Sequence, residues 1–420
     1  RSRTRRGREK SGQPPRASLR PITCRVRENK AHLSSAVPSQ SPLPPLGLYI
    51  HLPWCERKCP YCDFNSHAQR GPLDEDRYVR ALLADLDHEL RRAPLPEVQS
   101  VFIGGGTPSL FSGAAVGRLL DGIARRLDLA EDAEITLEAN PGTAEADRFA
   151  DYRAAGVNRL SLGVQSLDDA CLVALGRIHS ADEAVAAYRL ARSAGFDNVN
   201  LDLMYGLPGQ DTAGALRDLE SLIRLGPDHV SWYQLTLEPN TLFYRRPPVL
   251  PDDDSLADMM EAGQSMLANA AFRQYEISAY AGVGRQARHN LNYWQFGDYL
   301  GIGAGAHGKL TSTGCQVRRT IKRRHPLAYF DDIARGAVQS EYRVAEDELP
   351  VEFFLNALRL TEGVSAASFV QRTGLPLTKI ASPLDQARAR CLLDSDPAHF
   401  VPTSLGQRYL NDLLALFDSG

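Results

Sequence analysis

The chain has 420 residues, 43% of them hydrophobic and 24% charged, with a formal net charge of -3, the make-up of an ordinary globular protein. That length suits one large domain plus a smaller one, and the near-neutral balance excludes a global pull toward nucleic acid or membrane. No apolar run reaches the roughly 18 residues of a helical membrane span.

The first 46 residues differ from the rest. Positions 1 to 30 hold eleven Lys or Arg against two Glu, and a Ser- and Pro-rich run follows from Ser34 to Pro45. This composition predicts a disordered basic extension over 1–46. It is basic and acid-poor like a transit peptide, but it lacks an amphipathic face, so an over-extended start is the preferred reading.

From Leu48 onward, short β-branched or apolar runs alternate with helical patterns. The predicted strands are Leu48 to His51, Ser100 to Ile103, Glu134 to Glu138, Arg159 to Leu162, Val199 to Leu203 and Val230 to Leu235. Between them lie helices such as Ala115 to Leu127, where Val116, Leu119, Leu120, Ile123 and Leu127 share one face. Six βα units predict an α/β fold, an open partial (β/α)6 TIM-like barrel over 47–240 with its chemistry at the carboxyl ends of the strands.

A Pro- and Asp-rich connection, Arg245 to Asp254, opens a barrel extension over 241–345. It contains a predicted helix from Leu256 to Ala271 and a strand from Gln274 to Ser278. From 346 to 420 the pattern is mostly helical, with Val351, Phe354, Leu355 and Leu358 on one apolar stripe. Phe400 and Val401 suggest a short wing, and a small winged-helix-like domain is expected.

Three of the seven cysteines fall within eight residues, in His51-Leu-Pro-Trp-Cys55-Glu-Arg-Lys-Cys59-Pro-Tyr-Cys62. They are too close for a disulfide framework, which favours metal chemistry in a reducing compartment. Soft thiolates select iron-sulfur clusters, zinc or copper(I). A structural zinc would need a fourth ligand, for which His67 is the nearest candidate, whereas an iron-sulfur cluster on three cysteines keeps one iron free. Cys24, Cys171, Cys315 and Cys391 stand singly and are assigned no role.

The loop resembles that of radical S-adenosylmethionine proteins, and Leu48 to about His307 is similar to their HemN/HemW branch. The motifs that carry the resemblance are Tyr49-Ile-His-Leu-Pro-Trp-Cys55, Phe102-Ile-Gly-Gly-Gly-Thr107-Pro-Ser, Glu138-Ala-Asn-Pro-Gly, Gly163-Val-Gln165-Ser and Asp202-Leu-Met-Tyr-Gly-Leu-Pro. The resemblance implies a 4Fe-4S cluster on Cys55, Cys59 and Cys62, with S-adenosylmethionine chelating the free iron. It further implies cofactor contacts from Tyr49, Tyr61, Gly105, Gly106, Thr107, Glu138, Gln165, Arg177 and Asp202. The glycine turn would let backbone approach the amino acid head group, and Glu138 suits ribose hydroxyls.

Within this branch, the oxygen-independent coproporphyrinogen III oxidases carry a further cysteine two residues after the third. Here Cys62-Asp63-Phe64 has none. The stretch His289-Asn290-Leu291-Asn292-Tyr293-Trp294 resembles the HNxxYW motif associated with haem binding in the chaperones. His289 is the candidate haem ligand, the alternative being a packed, hydrogen-bonded histidine, and His307 is a weaker second candidate.

The resemblance therefore implies a haem chaperone that retains the radical cofactors and delivers haem to acceptor proteins, with no residue assigned to catalysis. The other readings are an oxidase or related radical enzyme acting on a tetrapyrrole, and a zinc-stabilised binding module. Expected partners are haem and its acceptors, with no nucleic acid and no membrane span, and a homodimer as one option. The expected location is the cytoplasm, with the mitochondrial matrix as the fallback.

Overall fold

The computed structural model describes residues 43–91, 95–142, 146–336 and 340–418. Apart from Leu43 to Leu46, the basic extension expected at 1–46 lies outside them.

One twelve-stranded sheet organises the molecule. Its strands in chain order are β1 (Leu46–Leu52), β2 (Val98–Gly105), β3 (Leu129–Ala139), β4 (Arg159–Gln165), β5 (Val199–Tyr205), β6 (His229–Gln234), β7 (Arg273–Gln274), β8 (Ala279–Ala281), β9 (Asp298–Ile302), β10 (His307–Thr311), β11 (Val317–Ile321) and β12 (Ser340–Arg343). They lie side by side as β12-β11-β10-β9-β1-β2-β3-β4-β5-β6-β8-β7. β1 through β6 pair in parallel and in sequence, and β9 adds a seventh parallel strand against β1. The remaining pairs are antiparallel, so the barrel stays open between two antiparallel ends.

All six predicted strands lie in this parallel run. Their apolar residues, among them Leu48, Ile50, Val101, Ile103, Leu137, Leu160, Leu162, Val199, Leu201, Leu203 and Val230, join one buried core. Helices α1 (Glu75–Leu90), α2 (Gly113–Ala124), α3 (Asp169–Ala174), α4 (Ala181–Ser193) and α5 (Thr212–Leu225) follow the strands. Local chemistry fixes where they begin. Asp74 caps α1, Ser112 caps α2, and Ser180 with Glu183 forms a full capping box on α4, satisfying amides that a helix cannot pair internally. α5 ends on Gly226 at φ 73°, the left-handed cap that glycine supplies at least strain.

Because side chains alternate across a strand, the residues between the core positions share the opposite, inner face. There β3 presents Glu134 and Glu138, β4 Arg159 and Ser161, β5 Asn200 and Asp202, and β6 His229, Ser231 and Tyr233.

Two expectations need correction, and four strands had none. The strand placed at Gln274 to Ser278 is a hairpin, β7 with β8, in which Tyr280 pairs with Gln274 while Glu276 bridges to Leu360. Leu355 does not share the buried stripe but is 49% exposed, and Phe353 is buried in its place. Strands β9 to β12 carry little periodic signal. β9 is short and includes Gly301, where a Cβ would collide with the His307 carbonyl, and β11 alternates Val317 and Ile321 with arginines.

The C-terminal region builds a second core from Phe353, Phe354, Phe369, Phe400 and Phe417. A ribbon pairs Val364–Ser365 with His399–Phe400. This core leans on the barrel extension through Phe296 against Phe353 at 5.5 Å and through Arg359 over the Trp294 ring at 4.2 Å.

Candidate cofactor site

Strands β1 to β6 and the loops after them deliver polar residues to one rim. A cleft of about 450 Å³ opens there, and its lining includes Cys55, Cys59 and Cys62, Tyr61, Gly106 and Thr107, together with Glu138, Gln165, Arg177 and Asp202. Residues spread over some 150 positions of sequence thus meet in one place. Gly105, Tyr49 and His289 lie outside the lining.

The cysteine loop leaves β1 and is held to the glycine turn after β2. The amides of Gly106 and Thr107 donate to the carbonyls of Leu52 and Trp54 at 2.8 and 2.7 Å. A Cβ on Gly106 would lie 2.4 Å from the Trp54 carbonyl, and Gly105 sits at φ +116° with the His51 ring 2.6 Å from a Cβ. Only glycine permits both this backbone and this approach.

Burial pushes the Cys55 and Cys62 thiols up, each further raised by neighbouring cysteines, against partial relief from hydrogen bonds and Lys58. Thiolates are the metal-ligating form of cysteine, so binding a cation at this loop would favour ionisation of these two thiols. Arg177 donates to Cys59 Sγ at 3.5 Å, to Asn140 Oδ1 at 2.8 Å and to the Gly163 carbonyl at 2.9 Å, while its buried Nε has no partner among the described residues. The donor set, three thiols on one loop and an arginine beside them, fits an iron-sulfur cluster with a free iron better than a closed zinc site.

The same cleft holds two carboxylates, Glu138 and Asp202, neither of which forms an ion pair within 4 Å among the described residues. Burial, then the charge of Asp202, pushes Glu138 up to about 7, against the opposing hydrogen bond from the Gly105 amide at 3.0 Å. Burial likewise raises Asp202, although Asn200 donates to it at 2.8 Å and Ser161 at 3.3 Å. A cationic ligand entering the cleft would relieve both. Gln165, held at φ 69°, accepts from the Tyr233 hydroxyl at 2.8 Å, so a left-handed backbone aims its amide inward.

The remaining expected residues form the floor and wall. Tyr49 donates to His51 Nδ1 at 2.7 Å and stacks on Phe102 at 6.0 Å. His289 opens a short helix, α6 (Arg288–Trp294), and is buried with 6% exposure. It stacks on the Phe102 ring at 4.3 Å and bonds Glu134 Oε1 through Nδ1 at 2.9 Å. Burial, outweighing the pull of Glu134, keeps its pKa below the ordinary value.

Asn290 donates to the Tyr275 hydroxyl at 3.1 Å, which bonds His229 Nε2 at 2.8 Å; His229 Nδ1 in turn meets Asn200 Oδ1 at 2.6 Å, one bond from Asp202. The HNxxYW segment thus closes the bottom of the barrel and is wired to the cofactor cleft. His307 lies at the start of β10, exposed.

Asn140 and Tyr233 line the cleft without having been singled out in the sequence. Asn140 donates to Thr107 Oγ1 at 3.2 Å as well as accepting from Arg177; its signal was its place in Glu138-Ala-Asn-Pro-Gly. Tyr233 was legible only through strand alternation from Val230 to Leu235.

Comparisons with known proteins agree with this geometry. The radical SAM superfamily model matches residues 49–222 and the HemN C-terminal domain model residues 344–409. The chain is 53% identical over 375 residues to the heme chaperone HemW of Escherichia coli, covering 89% of this chain and 98% of that one. It is 45% identical over 338 residues to the mitochondrial radical S-adenosyl methionine domain-containing protein 1 of Bos taurus, covering 78% and 76%.

Among solved structures, coproporphyrinogen III oxidase (HemN) of Escherichia coli superposes with a TM-score of 0.77 at 22% identity, over 90% of this chain and 91% of that one, and shows the fold. The superfamily match implies a 4Fe-4S cluster and S-adenosylmethionine as cofactors. No helix among the described residues is long and apolar enough to cross a membrane.

Proposed function

Given that the chain belongs to the HemW family of radical S-adenosylmethionine proteins, we propose that it is a haem chaperone that binds haem and hands it to acceptor proteins. The observation that carries this reading is Phe64. It stands two residues beyond Cys62, where the oxidases of the branch have a further cysteine, and it projects from the mouth of the cleft with 59% exposure. An exposed aromatic at the entrance favours holding a flat apolar ring.

Cys55, Cys59 and Cys62 would ligate the cluster and Arg177 would steady the Cys59 sulfur. Glu138 and Asp202 would take the cationic cofactor, while Gly106 and Thr107 would meet its head group and Tyr61 its flank. The cluster, when bound and reduced, supplies the electron that cleaves S-adenosylmethionine in radical chemistry. Nothing in the proposed function requires turnover. The cytoplasm is the proposed location, and a homodimer the proposed assembly.

The test is anaerobic reconstitution with iron and sulfide, then addition of haem, then dithionite with S-adenosylmethionine and coproporphyrinogen III. Stoichiometric haem binding with little 5'-deoxyadenosine and no decarboxylation is the expected result. Porphyrinogen-accelerated release of 5'-deoxyadenosine would instead make the protein an oxidase.

A further inference from the structure

Beside the cleft, the cysteine loop and the β10–β11 hairpin form a shoulder rich in imidazole. Asn65 clamps the two together, its side-chain amide donating to the carbonyls of Ala304 and Arg324, each at 2.9 Å. The Lys322 amide donates to the Ala306 carbonyl at 2.9 Å, and His307 pairs across with Ile321, so His307 stands next to the turn that carries Arg324 and His325. His67 Nε2 meets the Arg324 carbonyl at 3.2 Å. A carbonyl only accepts, so Nε2 is the donor and the neutral ring keeps its lone pair on Nδ1. An imidazole whose one N–H is held by a backbone carbonyl is the usual arrangement of a metal-ligating histidine.

The His325 ring meets that of His67 edge-on at 5.5 Å. His307 and His325 are exposed, and neither side chain makes a hydrogen bond among the described residues. Burial, then the nearby Arg324 and Arg319 charges, lowers the His307 pKa, favouring the neutral form that ligates. Arg324 is exposed and carries no ion-pair partner among the described residues. Phe64 adjoins Asn65 in the chain.

Haem is a flat apolar ring with two carboxylates and an iron that accepts imidazole. The shoulder offers an exposed aromatic, accessible imidazoles and, in Arg324, a guanidinium without an ion pair among the described residues. By contrast, His289 is enclosed beneath the sheet with Glu134 on one nitrogen and Phe102 on its face. We propose that haem docks on this shoulder, its iron ligated by His67, His307 or His325 and a carboxylate met by Arg324. This inference rests on the haem-binding reading above.

The test uses the full chain with its cluster reconstituted anaerobically and titrated with ferric haem. The combined variant His67→Gln, His307→Ala, His325→Ala is expected to keep its cluster iron but lose the imidazole-ligated haem spectrum and bind haem about tenfold more weakly or worse. Each single variant then identifies the ligand, and Arg324→Glu should weaken binding with the spectrum kept. Unchanged haem spectrum and affinity in the combined variant would overturn the shoulder site while leaving the chaperone reading intact. Failure of the native chain to bind haem would overturn both.

Discussion

Glu138, partly exposed to the cleft, and His289, buried, are both polar, yet their environments give them opposite tasks. Glu138 has its pKa raised from 4.5 to about 7, so between those values the folded chain holds a proton that the unfolded chain has released. Its contribution to stability is full below about pH 4.5 and is lost as pH rises through 7. In melts without S-adenosylmethionine, Glu138→Gln is expected to flatten that part of the stability profile, and parallel profiles for the two proteins would refute the assignment. A sulfonium cation placed beside the carboxylate should lower its pKa again. Binding should therefore release a proton and tighten as pH rises through 7, which calorimetry in buffers of different ionisation heat would detect.

For His289→Ala the expected loss is one of stability. The change takes the imidazole donor from the Glu134 carboxylate, which keeps only the backbone amide of residue 289 at 3.3 Å and Arg159 at 4.0 Å, and a buried acceptor that loses a donor costs about 2 kcal/mol. Urea denaturation should show it, while haem affinity measured on the folded fraction should change little.

At the level of elements, the sequence was most legible where local chemistry and tertiary placement agree. The three cysteines, the glycine turn, Glu138, Gln165 and Asp202 could all be placed at strand ends because each follows a strongly apolar, β-branched run. Legibility failed where contacts alone decide the structure. β9 gains its strand character from lying between β1 and β10, and the Gln274–Ser278 segment turns because Glu276 is drawn to Leu360 and to Arg359 at 3.2 Å. The HNxxYW segment left a haem ligand and a packed histidine as alternatives in sequence, and its helix is drawn inward by bonds to Glu134 and Tyr275 that no local pattern announces.

The glycine turn gives the element-scale test. With a Cβ on Gly106 directed 2.4 Å from the Trp54 carbonyl, Gly106→Ala must push the turn off the cysteine loop. A cost of about 1–3 kcal/mol is expected, read as a lower denaturation midpoint together with reduced iron loading. Normal stability and loading would mean that the loop moves freely against β2.

Over the whole molecule, the C-terminal core acts as a brace for the barrel floor. Phe354 is fully buried and packs against Phe353, Phe369, Phe400 and Phe417, and the same core receives Phe296 from the segment just before β9. Removing the ring in Phe354→Ala should cost about 3–5 kcal/mol. Because that core supports α6 and β9, near-ultraviolet circular dichroism should lose Trp294 and Phe296 signals along with the C-terminal ones. A two-step melt with an intact barrel would show instead that the brace is dispensable.

The pairing of β1 with β9 has a consequence in time. β1 is the first strand of the sheet and carries the cysteine loop at its end, but one of its two neighbours arrives only at Asp298, some 250 residues later. At ~5–20 residues per second, a ribosome needs roughly 12–50 s to supply it. Throughout that interval β1 keeps an open edge and the thiols hang beside an unfinished wall. Cluster insertion is therefore expected to follow chain release rather than accompany synthesis, and nascent chains stalled before β9 should remain iron-free.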